Sequence, residues 1–315
     1  MRLLLVLLYM MTVSFQTAAN EGMWQPHQLP ELQNELTTMG LKLDTTKISS
    51  FDEFPLNAIV SLGGCSASFV SPKGLVVTNH HCVYGSVVFN STTKTNLLQN
   101  GFLAKNLNAE MPASPGTRVY VTEAMTDVTS AILAGVTESM SGLDRYSLIE
   151  KNEKSLIKDC EKTKIHRCDV SAFHHGMEYF LIKRLEIRDV RLVYAPATSV
   201  GKYGGDIDNW QWPRHTGDFG FYRAYVSPTG EPADFSHDNV PYPSKHFLEV
   251  SKKGVAENDF VMAAGYPGST NRYRTSSEIK HQFTWYYPNA RQYREDLIAK
   301  IEEAAPADSQ ARLNY

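Results

Sequence analysis

One short stretch, residues 74–82, constrains this chain more than any other. It reads Gly-Leu-Val-Val-Thr-Asn-His-His-Cys. Its apolar and β-branched residues, Leu75 to Thr78, predict a β-strand that ends in two histidines and a cysteine. Residues 63–70, Gly-Gly-Cys-Ser-Ala-Ser-Phe-Val, predict a second strand. The Ser-Pro-Lys-Gly turn between the two strands predicts a β-hairpin that presents the histidines at a strand end.

The cysteines indicate how this hairpin is held. The chain of 315 residues has 4 cysteines, and four cysteines allow three pairings. We predict the disulfides Cys65–Cys82 and Cys160–Cys168, because each pair closes a local loop. Chain-entropy reasoning gives loops of this size a stabilisation of roughly 3 kcal/mol each.

A metal site is the alternative for the same residues. Cys82 could bind a metal ion together with His80 and His81. However, the Cys-x2-Cys and His-x3-His spacings typical of zinc sites are absent from the sequence. We therefore expect no metal and no other cofactor.

The N-terminus has the pattern of an export signal. Met1-Arg2 is followed by a mostly apolar run over residues 3–13 and then by Thr-Ala-Ala at 17–19. A positive charge, a short apolar core and a small-residue exit predict a cleaved signal peptide over residues 1–19. The run is too short to span a bilayer comfortably, and no later apolar run reaches that length. We expect a periplasmic or extracellular protein, where disulfides persist.

Composition excludes some classes of partner. The chain is 42% hydrophobic and 21% charged, which is ordinary for a globular protein. The formal net charge is −3 and there is no basic tract. Nucleic acid is therefore not an expected partner.

Hydrophobic patterning divides the chain into a β-rich part with helical additions. Helical spacing over residues 126–160 predicts two helices broken at Ser141-Gly142, inserted into a chain of strands. Helical spacing returns from residue 275 and is interrupted at Pro288. Residues 84–117 are predicted to be loop-like. Besides the hairpin, strands are predicted at 54–62, 118–122, 169–173, 179–187, 190–194, 219–226, 247–250 and 260–264.

A second unusual stretch covers residues 203–223. It reads Tyr-Gly-Gly-Asp-Ile-Asp-Asn-Trp-Gln-Trp-Pro-Arg-His-Thr-Gly-Asp-Phe-Gly-Phe-Tyr-Arg. Acids, a histidine and tryptophans this dense between glycines predict a loop that presents fixed polar groups as a site. The alternative is a rigid structural loop with Asx turns.

Residues 204–219 of that stretch resemble the signature of the bacterial dipeptidyl-peptidase 7 and 11 family. These are trypsin-like serine exopeptidases with a helical domain inserted into a double β-barrel. The resemblance extends to residues 21–24 (Glu-Gly-Met-Trp), 78–82 (Thr-Asn-His-His-Cys) and 264–273 (Ala-Gly-Tyr-Pro-Gly-Ser-Thr-Asn-Arg-Tyr). In trypsin-like proteases the base histidine directly precedes a cysteine bridged to the strand before it. That position is His81, not His80.

The resemblance implies a fold that is mostly β with helical insertions. Residues 20–274 would form a trypsin-like β-barrel portion, an incomplete double barrel, with a helical insertion near 126–160. Residues 275–315 would be the start of the helical domain.

The resemblance also implies a role for individual residues. His81 matches the general base and Asp218 the acid that orients it. Asn209 and Trp210 match residues that hold the free α-amino group of the substrate. The implied function is an exported serine dipeptidyl-peptidase that removes dipeptides from peptides with a free N-terminus. The resemblance also suggests a homodimer.

The nucleophile is missing from this pattern. A trypsin-like protease should carry Gly-x-Ser-Gly, and no serine of the chain has that setting. Ser141 precedes a glycine but follows Met140, and Ser269 follows a glycine but precedes Thr270. We expect the chain to be an N-terminal segment of a longer enzyme, with the histidine and aspartate of the triad but not the serine, and to be inactive alone.

Three other functions remain open from the sequence. The chain could be a complete short relative that binds peptide N-termini without catalysis. It could be a trypsin-like endopeptidase, although an endopeptidase has no use for an α-amine clamp. It could be a metallo-hydrolase that uses His80, His81 and Asp218. Side-chain specificity stays open.

Overall fold

The computed structural model describes residues 22–51, 53–209, 211–268, 274–307 and 309–314. The predicted signal segment 1–19, Trp210 and the 269–273 part of the family resemblance lie outside the described residues.

An 11-stranded antiparallel sheet is the centre of the fold. Its first five strands are β1 (Ile59–Ser61), β2 (Ser66–Phe69), β3 (Leu75–Thr78), β4 (Phe102–Leu103) and β5 (Met111–Pro112). The others are β6 (Val119–Asp127), β7 (His166–Phe173), β8 (Glu178–Ile187), β9 (Asp189–Ala195), β10 (Gly220–Val226) and β11 (Val240–Pro241).

The order of the strands brings distant parts of the chain together. It runs β4-β9-β10-β3-β2-β1-β6-β8-β7, with β11 beside β10 and β5 beside β9. The predicted β2–β3 hairpin is present, with Phe69 opposite Val76. On its other side β3 pairs with β10, so that Thr78 lies opposite Gly220. The end of β3 and the start of β10 are therefore neighbours, and the residues just beyond them meet.

Alternating burial explains why these segments are strands. Along β3 the side chains alternate between partly buried and buried, and Val76 is fully buried. The same apolar face on several strands makes one core under the sheet. The core includes Val60, Phe69, Val76, Val83, Val87, Val119, Ile187, Val190, Leu192, Tyr222, Ala224 and Val226.

The prediction that residues 84–117 are loop-like is partly wrong. Helix α2 (His80–Phe89) follows β3 directly; the numbering counts α1 (Gln33–Thr38) as the first helix. Its valines and Gly85 are weak helix formers, so local propensity did not predict it. Val83 and Val87 are fully buried against the sheet. Tertiary packing, rather than propensity, therefore holds this helix. The short helix α3 (Leu97–Asn100) lies in the same region.

The two helices predicted around residues 126–160 are present. Helix α4 spans Thr129–Ile132 and helix α5 spans Gly142–Cys160. The side chain of Ser141 caps α5 by accepting a hydrogen bond from the Asp144 amide at 3.2 Å. The disulfide Cys160–Cys168 then joins the end of α5 to β7, as predicted.

Three predicted strands differ from the structure. Residues 247–250 and 260–264 form no strand. Leu248 donates one backbone hydrogen bond to Phe69 at 2.8 Å, and Phe260 packs on the cluster around Leu36. Phe247, Leu248 and Phe260 are only partly buried, and Val250 and Val261 are 82% and 69% exposed. Apolar composition alone therefore does not distinguish these segments from strands. Of residues 54–62, only Ile59–Ser61 is strand, after a 3-10 turn at Leu56–Ala58.

Short helices α6 (Thr198–Gly201) and α7 (Gly205–Asp208) lie between β9 and β10. The last part of the chain is helical, as predicted. Helix α8 (Ser276–His281) continues through a π-helical turn (Gln282–Tyr286) into α9 (Tyr287–Ala304), and α10 is Gln310–Asn314. Pro288 has no amide proton to donate within this continuous helix, and the π-helical turn lies directly before it, at the interruption predicted from the sequence. Within the described residues, no helix is both long and apolar enough to cross a membrane.

Candidate active site

His81 and Asp218 form the centre of the candidate site. The ring atom Nδ1 of His81 lies 3.0 Å from Oδ2 of Asp218. The two residues are 137 positions apart in the chain. The carboxylate is largely buried, with 17% of its side chain exposed, whereas the imidazole is 68% exposed. One end of the ring is thus held by an acid, and the other end, Nε2, is directed away from it.

The local backbone explains this contact. Asp218 comes just before β10, and His81 lies in the first turn of α2, just after the neighbouring strand β3. The first amides of a helix have no partner within the helix. The His81 amide donates to Oδ1 of Asp218 at 3.1 Å, so the carboxylate satisfies one of them. Asn79 donates from Nδ2 to Oδ2 at 3.1 Å and to the Asp218 carbonyl at 3.3 Å.

These contacts keep Asp218 ionised. Burial opposes the charge, but hydrogen bonds from the backbone and ring of His81, the attraction of that ring and the bond from Asn79 together hold the pKa of Asp218 below its ordinary value. A charged acceptor at Oδ2 favours the tautomer with the proton on Nδ1. Nε2 is then left as the acceptor of a proton, as general base catalysis requires.

His80, the neighbour of the base, has a different environment. Its side chain is directed inward and the residue is 2% exposed. Burial lowers its pKa, the charge of Asp218 and a hydrogen bond to the Pro196 carbonyl oppose this, and His81 adds to it. A neutral, buried imidazole is not available to a substrate. The structure thus separates the roles of two adjacent histidines.

The residues predicted to hold an α-amine are less closely defined. Asn209 is exposed directly after α7, in the segment between β9 and β10. The same segment contains Asp218, and a 2.7 Å hydrogen bond from the Thr216 hydroxyl to the Tyr203 carbonyl closes the loop that carries Asn209. Trp210 lies outside the described residues.

The predicted disulfide Cys65–Cys82 lies beside the base. Its two sulfur atoms and a ring nitrogen of His81 all lie within 4.8 Å of one another, a spacing that a metal ion could bridge. Both sulfurs are bound in the disulfide, so neither is the thiolate that a metal needs. The bridge instead ties the start of α2 to the strand β2.

Sequence reasoning missed two contributions to this site. Asn79 was not predicted to hold the carboxylate, although it stands immediately before the two histidines. The helix that orients His81 was also missed, because its valines and glycine carry no helical signal. One sequence feature could have indicated both Asn79 and the helix: polar side chains follow directly after the buried strand β3.

Comparisons with known proteins identify the family of the chain. The family described as Peptidase S46 matches residues 19–315. An Asp/Glu-specific dipeptidyl-peptidase of Shewanella putrefaciens is 46% identical over 315 residues, which is 100% of this chain and 43% of that protein. A dipeptidyl-peptidase 7 of Capnocytophaga gingivalis is 38% identical over 301 residues, 94% of this chain and 42% of that protein.

Solved structures show the same similarity. DPP11 of Porphyromonas endodontalis in complex with the dipeptide Arg-Asp matches with a TM-score of 0.76 and 36% identity, over 84% of this chain and 39% of that one. The same enzyme in an alternate conformation matches with a TM-score of 0.77 and 34% identity, over 90% and 43%. The chain therefore spans less than half the length of these relatives.

Proposed function

The chain belongs to the peptidase S46 family, and we propose that it supplies the general base and the orienting acid of a serine-type dipeptidyl-peptidase. The observation that carries this proposal is the pair of hydrogen bonds from His81, through Nδ1 and the backbone amide, to the two carboxylate oxygens of Asp218. Two bonds fix both the position and the tautomer of the imidazole. A surface histidine with no chemical role needs neither.

The mechanism follows from that arrangement. Nε2 of His81 takes the proton of a serine hydroxyl as the oxygen attacks the scissile carbonyl. Asp218 stabilises the imidazolium that forms, and Nε2 then gives the proton to the leaving amine. Water repeats the cycle to release the acyl group, which for this class is a dipeptide.

The serine is the part of the triad that these 315 residues do not identify. No serine stands in a Gly-x-Ser-Gly motif, and the Shewanella relative is matched over 43% of its length. We propose that the nucleophile belongs to sequence outside these residues, as part of a longer polypeptide. The finer fold, one portion of a trypsin-like double barrel, is proposed on the same basis and is supported by the similarity to DPP11.

The substrate is proposed to be a peptide with a free N-terminus. Asn209 is exposed on the segment that leads to Asp218, where an amide oxygen could accept a hydrogen bond from an α-ammonium group. Together with Trp210, it would fix the distance between the peptide N-terminus and the scissile bond. Similar relatives carry the names Asp/Glu-specific dipeptidyl-peptidase and dipeptidyl-peptidase 7, so this chain is compatible with either specificity.

Location and assembly are part of the proposal. The N-terminal pattern and the two disulfides support export to the periplasm or beyond, because disulfides persist in oxidising compartments. Homodimerisation is proposed from the family resemblance, and sedimentation of the purified protein tests it.

A chimera tests the catalytic roles. Residues 22–314 of this chain replace the matching segment of the Shewanella relative, which contributes the rest of the enzyme. The chimera is expected to release dipeptides from peptides with free N-termini but not from acetylated ones. His81→Ala is expected to lower kcat by at least ~10⁴-fold and Asp218→Asn by ~10⁴-fold.

His174 supplies the matched control, because it is an exposed histidine in a turn of the same sheet. His174→Ala should leave kcat unchanged. A folded chimera whose activity survives His81→Ala contradicts the base assignment. Equal cleavage of acetylated peptides favours an endopeptidase, and tight peptide binding without turnover in the folded chimera favours a binding protein.

A further inference from the structure

We propose that His80 is a positioning residue, whose buried ring holds the segment that carries Asp218 in place against the base. This inference rests on the proposed function, because it concerns how the His81–Asp218 pair is kept together. The two neighbouring histidines then have complementary roles. His81 exchanges the proton, and His80 fixes the carboxylate on which His81 depends.

The first step is the contact between His80 and α6. Gly201, the last residue of α6, is buried against the His80 ring. A Cβ atom at position 201 would lie 2.3 Å from Cγ of His80 and 2.5 Å from Nδ1. Only glycine allows the ring to come this close to the α6 backbone. The Pro196 carbonyl, just before α6, also acts on the His80 ring and opposes the lowering of its pKa by burial.

The second step links α6 to the acid. The amide of Gly217 donates to the carbonyl of Val200 at 2.9 Å. A Cβ atom at position 217 would lie 2.8 Å from Cγ1 of Val200, so this approach is also closed to any other residue without a shift. Gly217 immediately precedes Asp218. The position of α6 therefore determines the position of the Asp218 backbone, and with it that of the carboxylate.

The third step links Asp218 back to the two histidines. Asp218 accepts two hydrogen bonds from His81, and His81 is bonded to His80 along the chain. The path runs from the His80 ring through Gly201, Val200, Gly217 and Asp218 back to His81. A shift of the His80 ring cannot be absorbed without moving α6, and a shift of α6 moves the acid relative to the base.

The polar atoms of His80 agree with a fixed ring. Nε2 is buried and, among the described residues, has no hydrogen-bond partner, while Nδ1 lies on the side of the ring that faces Gly201. An unpaired buried acceptor is destabilising, because it has lost its hydrogen bonds to water. A phenylalanine would avoid that cost but would have no ring nitrogen to interact with the Pro196 carbonyl. The groups that face the ring with a charge or a titratable atom are Asp218, His81 and Tyr84, whose ring meets that of His80 edge-on at 6.2 Å.

The test reads the His81–Asp218 hydrogen bond directly. The proton on Nδ1 of His81, shared with a carboxylate, is followed by ¹H NMR as a far-downfield signal in the full 315-residue chain, and its absence in His81→Gln assigns it. His80→Ala and Gly201→Ala are each expected to weaken or abolish the signal. The double variant His80→Ala/Gly201→Ala is expected to recover part of it, because the new methyl group enters the space left by the ring.

Two further variants separate positioning from general stability. His80→Asn keeps a donor near the place of Nδ1 and is expected to retain more of the signal than His80→Ala. Val87→Ala opens a cavity on the same helix, at a side chain that is fully buried. It should lower stability and leave the signal intact. In the chimera, His80→Ala is expected to lower kcat by up to ~100-fold, and His80→Asn by less.

The outcomes are distinct. Signals unchanged in folded His80→Ala and Gly201→Ala overturn the inference, as does equal loss in Val87→Ala. If Gly201→Ala does not fold, the comparison of His80→Ala with His80→Asn decides: equal signals overturn the inference, and a stronger signal in His80→Asn supports it. Absence of the downfield signal from the unmodified chain would instead count against the His81–Asp218 pair itself, and so against the proposed function.

Discussion

The sheet and the C-terminal helical segment, residues 276–304, differ in how far their apolar side chains are exposed. The sheet buries Phe69, Val76 and Tyr222 to 1% exposure or less. No residue of α8, the π-helical turn or α9 is buried. Their apolar side chains are instead 43–70% exposed over Ile279, Phe283, Trp285, Tyr286, Tyr287, Tyr293, Leu297 and Ile298.

Charges follow the same division. In the sheet, Asp189 is completely buried and pairs with Arg191 at 2.8 Å, and the Arg191 guanidinium also lies 3.8 Å above the Tyr225 ring. In α9, the Arg291–Glu295 pair has side chains that are 80% and 50% exposed. The comparison shows that the C-terminal segment is helical although none of its residues is buried, whereas each strand is stabilised by pairing and packing with other strands. The catalytic pair stands on the packed region.

The largest expected difference comes from a matched pair of phenylalanines. Phe69→Ala removes a ring that is 1% exposed and should lower the free energy of unfolding by about 3–5 kcal/mol. Phe283→Ala removes one that is 68% exposed and should change it by less than about 0.5 kcal/mol. Urea denaturation followed by circular dichroism measures both. Similar losses for the two variants would contradict the division between the regions.

A smaller effect is expected from alkaline pH in the sheet. Burial raises the pKa of Tyr222 from 10.0 to about 12, although its hydrogen bond with Ser86 offsets this in part. The unfolded chain releases this proton first, so stability is full below pH ~10 and falls by about 3 kcal/mol as the pH rises towards ~12. Tyr222→Phe should remove that part of the alkaline loss. Val226→Ala is the control, because it changes the same core without removing a titrating group. Relative to the unmodified chain, it should lower the free energy of unfolding by the same amount at every pH. A difference that changes with pH would contradict the assignment to Tyr222.

The smallest effect on stability is expected in α9. Leu297 is 47% exposed, so Leu297→Glu should change the free energy of unfolding by less than about 0.5 kcal/mol. It should, however, reduce self-association at high protein concentration, because it interrupts an exposed apolar surface. Light scattering measures this, with the exposed Lys300→Glu as the control for added negative charge. A large loss of stability in Leu297→Glu would show that the helix is packed after all.

Local patterns predicted the parts of the site that depend on neighbours in sequence. The hairpin of β2 and β3, both disulfides and the two helices around residues 126–160 are all present. Each is set by alternation, turn residues or short loops. Helix α2 was missed because burial of Val83 and Val87, not propensity, holds it. The strands predicted at 247–250 and 260–264 were wrong for the converse reason: their residues have strand-like composition, but they join no ladder and are at most partly buried.

The pairing of His81 with Asp218 was predicted from the family resemblance, and no local pattern could have supplied it. Contact across 137 residues requires β3 and β10 to be neighbours in the sheet. The contributions of Asn79, Gly201 and Gly217 were not predicted at all, because a close approach between two segments leaves no trace in either one alone.

The sequence by itself determined the chemistry that this protein can offer: an imidazole, a carboxylate and the disulfide beside them, in a pattern shared with one family. The family resemblance assigned the base to His81, and only the tertiary structure shows why His80 cannot take that role. Adjacent residues on a helix are directed about 100° apart, so His80 can face Gly201 of α6 while His81 is exposed beside Asp218. The rotation of α2 against its neighbours makes that choice, and it depends on packing across the whole sheet rather than on any local run of residues.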